Sequence, residues 1–242
     1  MNLLDDLMLN VNTDAPVRSV LVGSHWVVVC SRACGLASAL RGDRSHGTPE
    51  VQDAGRLHLM PASELLALAR SPSMLEASIG VAALNALLEV DESRAVELNA
   101  ADMLVERGKD KKVALVGRFP FIPRLRTSAR QLWVLEQQPA QDEYPAEAAA
   151  ELLPRADLVA ITGTALINGT LESLLGYCQS ASVVMVLGPS TPLSPVLFDY
   201  GVDILSGIRI LDEEAVLRTV SQGASFRQVQ GVRLLTFMRA KE

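Results

Sequence analysis

The chain has 242 residues, with 22 Lys+Arg against 28 Asp+Glu, a formal net charge of −6, 49% hydrophobic residues and only 4% aromatics. That balance excludes a disordered or fibrous chain, and it excludes a general nucleic-acid binder, which needs a basic face and stacking side chains. The length suits one large domain or two small ones.

The first ten residues place Leu3, Leu4, Leu7 and Met8 on one helical face, with Asp5 and Asp6 on the other. Those two carboxylates stand where a secretion signal carries Lys or Arg, and no apolar run approaches the roughly 20 residues of a membrane span. Three cysteines cannot build a disulfide framework, so the expected compartment is the reducing cytoplasm. Val17 to Val22, a Gly23-Ser24-His25 turn and Trp26 to Cys30 predict a β-hairpin, and Gly35 to Leu40 a third strand. Arg41 to Gly55, rich in Gly, Asp, Arg and His, reads as a loop. Pro61 suits the first position of a helix running to Ala69, and Ser73 with Glu76 spells a capping box for a second helix to about Glu89. Ala77, Ser78, Gly80, Ala82, Ala83 and Ala86 let that second helix approach a neighbouring backbone closely. This face, like the Leu3/Leu4/Leu7/Met8 stripe, serves a core or a homodimer equally well.

Beyond Asp91 the pattern changes. Lys112 to Gly117, Leu132 to Glu136, Leu158 to Thr162 and Val183 to Gly188 are short, nearly all-apolar runs, as strands covered on both faces are. Helical patterns lie between them: Leu171, Leu174, Leu175 and Cys178 follow one face, and Asp212 caps a helix carrying Val216 and Val220. Val232 to Met238 suits a last, antiparallel edge strand. Strands alternating with helices predict a mostly parallel, Rossmann-like sheet. The expected organisation is an α/β chain with a small α+β domain over residues 1–95 and a Rossmann-like domain over residues 96–242.

Ligands of such sheets bind beyond the carboxyl ends of the strands. That rule selects Gly117, Arg118 and Phe119 after the first strand and Glu136 at the end of the second. It also selects Thr162, Gly163, Thr164 and Asn168 after the third, and Gly188, Pro189, Ser190 and Thr191 after the fourth. Gly, Ser and Thr at helix starts offer amides and hydroxyls to an anion, and Arg118 adds charge; Arg124, Arg126 and Arg130 read better as a solvated helix face. Asn168 reads as a helix cap first, while Ser194 and Pro195 read as opening a later helix. The dinucleotide fingerprint GxGxxG is met only by Gly117, because Phe119 stands where the second glycine belongs. Glu136, 19 residues after Gly117, does sit where an acidic residue holds ribose hydroxyls.

Thr162-Gly163-Thr164-Ala165-Leu166-Ile167-Asn168-Gly169-Thr170, followed by Gly188-Pro189-Ser190-Thr191-Pro192-Leu193, resembles the bacterial and archaeal family of heavy-metal chelation domains. Gly117-Arg118-Phe119-Pro120, Glu136 and Asp157 fit the same pattern, with Arg118 where that family often has His. Val22 to Trp26 and Cys34 to Ala37 resemble its amino-terminal part. The resemblance implies an enolase-amino-terminal-like domain joined to a Rossmann-like one, a site in the cleft between them, and a divalent or heavy metal as the associated cofactor. Guanidinium does not ligate metals, so Arg118 argues against a metal at that position.

The soft metal ligands His25, Cys30, Cys34, His46 and His58 all fall in the first domain, and Cys30-x3-Cys34 lacks the spacing of a structural zinc site. The expectation for Cys30 is a free, buried, small hydrophobe. Nucleophilic catalysis by Cys34 or Ser190 has no nearby histidine in sequence to support it, unless His25 reaches across the cleft. The readings that stand are a binder of a small polar or anionic molecule or metal chelate, an enzyme using S-adenosylmethionine or another adenosyl ligand, and a scaffold.

Overall fold

A computed structural model of the chain describes residues 2–42 and 49–240. His46 and the middle of the expected 41–55 loop lie outside the described residues. Helix α1 (Leu3–Leu9) is capped by Asn2, whose side chain accepts the Asp5 amide. Strands β1 (Ser19–Val22), β2 (Trp26–Cys30) and β3 (Cys34–Ser38) form an antiparallel three-stranded sheet. Helices α2 (Ala62–Ala67) and α3 (Met74–Leu87) follow; α3 covers the sheet and α2 packs on α3.

Residues after Asn99 build α4 (Ala100–Arg107), β4 (Lys112–Val116), α5 (Ile122–Ser128), β5 (Gln131–Glu136), the two-residue β6 (Tyr144–Pro145), α6 (Ala149–Leu152) and β7 (Leu158–Thr162). Then come α7 (Thr164–Ile167), α8 (Leu171–Gly176), β8 (Val183–Leu187), α9 (Val196–Asp199), β9 (Ile204–Ile210), α10 (Glu213–Ser221) and β10 (Val232–Met238). Seven strands make one sheet in the order β10-β9-β8-β7-β4-β5-β6. All neighbours are parallel except β9 and β10. Starting at β4, the six parallel strands run 3-2-1-4-5-6, the order of a doubly wound sheet, so the connections diverge between β4 and β7 and leave a crevice there.

α3 explains how the two sheets join. Twelve of its residues are buried, including Ser78, Ile79, Gly80 and Leu84, and a helix apolar all round belongs inside. It lies on β2 and β3 and also touches α7 of the larger sheet's helical layer. The approach depends on bare backbone: a Cβ on Gly35 would stand 2.2 Å from the Ala82 carbonyl oxygen, and one on Gly80 would stand 1.9 Å from the Ala69 amide nitrogen. The stripe on α1 is spent in the same way, since Leu3 and Leu7 are buried in the core shared with α3. Both apolar faces are absorbed within the chain.

Four local expectations change. Pro61 is the N-cap of α2 rather than its first residue. The Ser73/Glu76 capping box does not form, because the Ser73 hydroxyl donates to the Glu50 carbonyl at 2.6 Å and Glu76 accepts from the Ser71 hydroxyl and the Gln52 amide. Cys30 is not a free thiol: it is joined to Cys34 in a disulfide, because the β2–β3 register sets the two residues opposite each other. β9 has no counterpart in the sequence reading above. Its Gly207 interrupts the apolar pattern, where a Cβ would meet the Thr191 carbonyl oxygen at 2.9 Å.

Candidate functional site

A cleft of about 1240 Å3 opens where β4, β5, β7 and β8 end, lined on the other side by Trp26 and Ser38 of the small sheet and by Leu40 just beyond it. Gly117, Arg118, Phe119, Glu136, Thr162, Gly163, Thr164, Asn168, Gly188, Pro189 and Ser190 all line it. Thr191 does not. It is buried beneath the loop, where its Oγ1 and the Asn85 Oδ1 border a separate small void and have no hydrogen-bond partner among the described residues.

The glycines shape the floor. Gly117 and Gly188 have φ of +105° and +112°, a region that side chains rarely tolerate, and both chains turn away from the sheet there. A Cβ on Gly163 would sit 2.6 Å from the Thr191 amide and hydroxyl. Their amides, however, are not free for an anion. Gly117, Gly163 and Gly188 donate to the carbonyls of Leu135, Leu187 and Ser206. The glycines let the strands end close together, and the hydroxyls supply the polarity. Thr162 Oγ1 and Thr164 Oγ1 are 2.9 Å apart.

Ser190 and Arg118 are engaged with protein partners. The Ser190 hydroxyl accepts the Ser38 amide at 2.9 Å and lies 3.1 Å from the Ser38 hydroxyl, so it ties the loop after β8 to the end of β3. Asn85 of α3 reinforces this seam by donating to the Leu36 and Ser190 carbonyls. Arg118 extends along the rim, where its Nε donates to Glu143 Oε1 at 2.9 Å and its Nη2 donates to Glu143 Oε2 and the Gln138 carbonyl. Glu143 also accepts the Ala140 amide, and the Arg118 hydrogen bond, followed by that amide, pulls its pKa from 4.5 down to about 2. The sequence reading missed Glu143; an acidic residue in a loop seven positions beyond Glu136 carries no spacing signal.

Glu136 differs from both. It ends β5, lines the cleft, and its carboxylate accepts no hydrogen bond among the described residues. Asn168 closes α7, and its side chain accepts the Thr170 amide and hydroxyl, so it caps the turn into α8 rather than starting a helix. Pro195 rather than Ser194 is the N-cap of α9. Arg124 pairs with Asp102 of α4 at 2.7 Å. His25 is exposed and is not part of the cleft wall.

The wall has a second character that composition concealed. The chain holds two Trp, three Tyr and five Phe. Half of them, Trp26, Phe119, Phe121, Tyr177 and Phe226, line this cleft. Phe119 and Phe121 stack with centroids 5.1 Å apart, and Trp26 meets Phe226 at 5.6 Å. Flat apolar surfaces beside a carboxylate that accepts no hydrogen bond among the described residues and paired hydroxyls suit a small molecule with a planar body and polar edges.

Metal chemistry meets a narrower donor set. The described cleft wall has no His or Cys, and its carboxylates are Glu136 and Glu147. A soft ion held directly by cleft side chains does not fit that set. The described residues offer one cluster of three potential metal ligands, Cys30, Cys34 and Glu213, outside the cleft, and its two sulfurs are bonded to each other.

Comparison with known proteins extends over the whole chain. The DUF364 family profile matches residues 99–239 and the DUF4213 profile residues 4–88, both described as "Putative heavy-metal chelation". An uncharacterized protein of Methanocaldococcus jannaschii is 29% identical over 210 residues, 84% of this chain and 78% of that protein. The crystal structure of a DUF364-family protein of unknown function from Desulfitobacterium hafniense superposes with a TM-score of 0.85 at 28% identity, over 98% of this chain and 97% of that one. A DUF364-family protein of unknown function from Pyrococcus horikoshii shares the fold, with a TM-score of 0.83 at 20% identity and 98% of each chain covered.

Proposed function

The chain belongs to the DUF364 family, described as "Putative heavy-metal chelation", and from that premise we propose that its cleft binds a small polar or anionic molecule, or a metal already held by an organic chelator. The carrying observation is the Glu136 carboxylate at the end of β5, which accepts no hydrogen bond among the described residues and meets Arg118 only through charge, set among aromatic walls and the Thr162–Thr164 hydroxyl pair. An organic chelator supplies the metal donors that the cleft wall lacks. Its planar groups pack on Phe119, Phe121 and Trp26, and its hydroxyl or amide edges bond to Glu136 and the threonines. Arg118 is neutralised by Glu143 and contributes shape at the rim more than charge.

A second reading is favoured by one observation. In a 3-2-1-4-5-6 sheet, the acidic residue ending the second strand holds the ribose hydroxyls of an adenosyl ligand, and Glu136 occupies that position.

Thermal denaturation with added ligands separates the readings. Ferric and zinc complexes of a planar chelator such as 8-hydroxyquinoline raise the melting temperature under the first, and S-adenosylmethionine or its demethylated product under the second; a ligand at 100 times its Kd adds about 2.7 kcal/mol. If no ligand in either class shifts the transition, both readings fail.

A further inference from the structure

Outside the cleft, the chemistry gathers at the other end of the same strand pair. Trp26 and Ser38 are register partners at the cleft, and Cys30 and Cys34 are register partners at the three-residue turn Ser31-Arg32-Ala33. The two cysteines are 4.1 Å apart at Cα and joined as a disulfide. Glu213, the first residue of α10, brings a carboxylate oxygen within 4.8 Å of both sulfurs. Arg18 reaches the group from just before β1, with Nη2 3.9 Å from Cys34 Sγ and 2.6 Å from Glu213 Oε2. Cys30 is fully buried against Val216 and Val220, while Cys34 retains 8% exposure.

We propose that Cys30, Cys34 and Glu213 form a redox-gated site for a thiophilic divalent cation, closed as the disulfide and opened by reduction to the dithiol. The site needs no ligand in the cleft and stands whether or not the reading of the cleft does.

The chemistry balances with a dithiol reductant. Its thiolate attacks Cys34 Sγ, the more exposed sulfur, the S–S bond breaks, and Cys30 leaves as a thiolate that takes up the proton released by the attacking thiol. The second reductant thiol then displaces Cys34 from the mixed disulfide and the reductant departs oxidised. The cation afterwards replaces the two thiol protons. With metal–sulfur bonds of about 2.3 Å at a tetrahedral angle, the sulfurs need to open only to about 3.8 Å, a separation that facing residues on paired strands permit. Two thiolates and one carboxylate, against Arg18 and a divalent ion, leave no net charge where two buried sulfurs meet two half-exposed charged side chains. Three protein ligands leave a fourth position for water or a second donor.

The test uses the full chain carrying Cys178→Ser, which removes the remaining thiol. One half of the preparation is left oxidised; the other is reduced with a phosphine and desalted under anaerobic conditions. Both are titrated with Cd2+, reading thiolate-to-metal charge-transfer absorption and the protection of thiols from alkylation. Reduced protein is expected to take up one Cd2+ per chain with the charge-transfer band and both thiols protected, and oxidised protein to show no band. Glu213→Gln is expected to keep the band and bind about 10-fold more weakly. The proposal is overturned if the reduced chain shows no band, if both forms take up Cd2+ alike, or if reduction abolishes the circular-dichroism signature of the fold. Unchanged affinity in Glu213→Gln removes Glu213 from the ligand set and overturns the three-ligand site as stated.

Discussion

Arg118 grips the Glu143 carboxylate through Nε and Nη2, and the Ala140 amide donates to the same carboxylate at 2.9 Å. The loop between β5 and β6 is therefore fastened to the end of β4 by one ion pair at the rim of the cleft. That pair contributes to the acid limb of stability, beside Asp5 and Asp91, whose carboxyls Arg70 and Ser93 also hold below the usual range. Glu143 titrates at about 2 in the folded chain against an ordinary 4.5, so its contribution is present above pH 4.5 and is lost as pH falls toward 2. Glu143→Gln is expected to flatten the fall in melting temperature across that interval. An unchanged acid limb in the variant contradicts the assignment.

Ser190 seams the two sheets. Ser190→Ala removes the acceptor of the Ser38 amide and the partner of its hydroxyl. The expected loss is about 1–3 kcal/mol of unfolding free energy in urea, since a partly buried donor is left unmet. A loss below about 0.5 kcal/mol would show that water replaces the bond.

Gly80 is the point of closest helix approach. The Cβ of Gly80→Ala would meet backbone atoms of Ala69 and Leu68 rather than a flexible side chain. About 3 kcal/mol or more of destabilisation is expected, at the upper end of overpacking. Gly176→Ala, where a Cβ meets nothing within 4 Å, is the matched control and is expected to be neutral or slightly stabilising.

Glu136 separates binding from stability. With no hydrogen bond to lose, Glu136→Ala is expected to change unfolding free energy by less than about 0.5 kcal/mol. The same variant is expected to lose the thermal shift produced by whichever cleft ligand stabilises the parent chain. Retained stabilisation in Glu136→Ala removes the carboxylate from the binding role.

The parallel strands were legible because burial on both faces leaves a continuous apolar run, and Lys112–Val116, Leu158–Thr162 and Val183–Leu187 are such runs. β9 was not, because Gly207 breaks its run for a reason visible only where the Thr191 carbonyl passes over it. The strand-end loops were legible too, since a doubly wound sheet gathers them at one edge whatever they bind. What those loops do was less so. Ser190 reads as a free hydroxyl in sequence and is spent on Ser38 152 residues away. Arg118 reads as an anion clamp and is spent on Glu143.

Length, composition and charge described a chain of 242 residues, net −6 and poor in aromatics, and those properties are local sums that need no fold. By itself the sequence determined the alternation of strands and helices and the small-residue face of α3, because periodicity and side-chain size act over a few neighbours. Tertiary structure alone decided that half of the few aromatic rings meet in one cleft, that Cys30 is bonded to Cys34, and that Glu213 and Arg18 stand beside them. The cleft and the Glu213 contact join distant segments, and the Cys30–Cys34 bond, only four residues apart, still depends on the β2–β3 register; register and sheet order are what hydrophobic pattern constrains only loosely until the chain has closed.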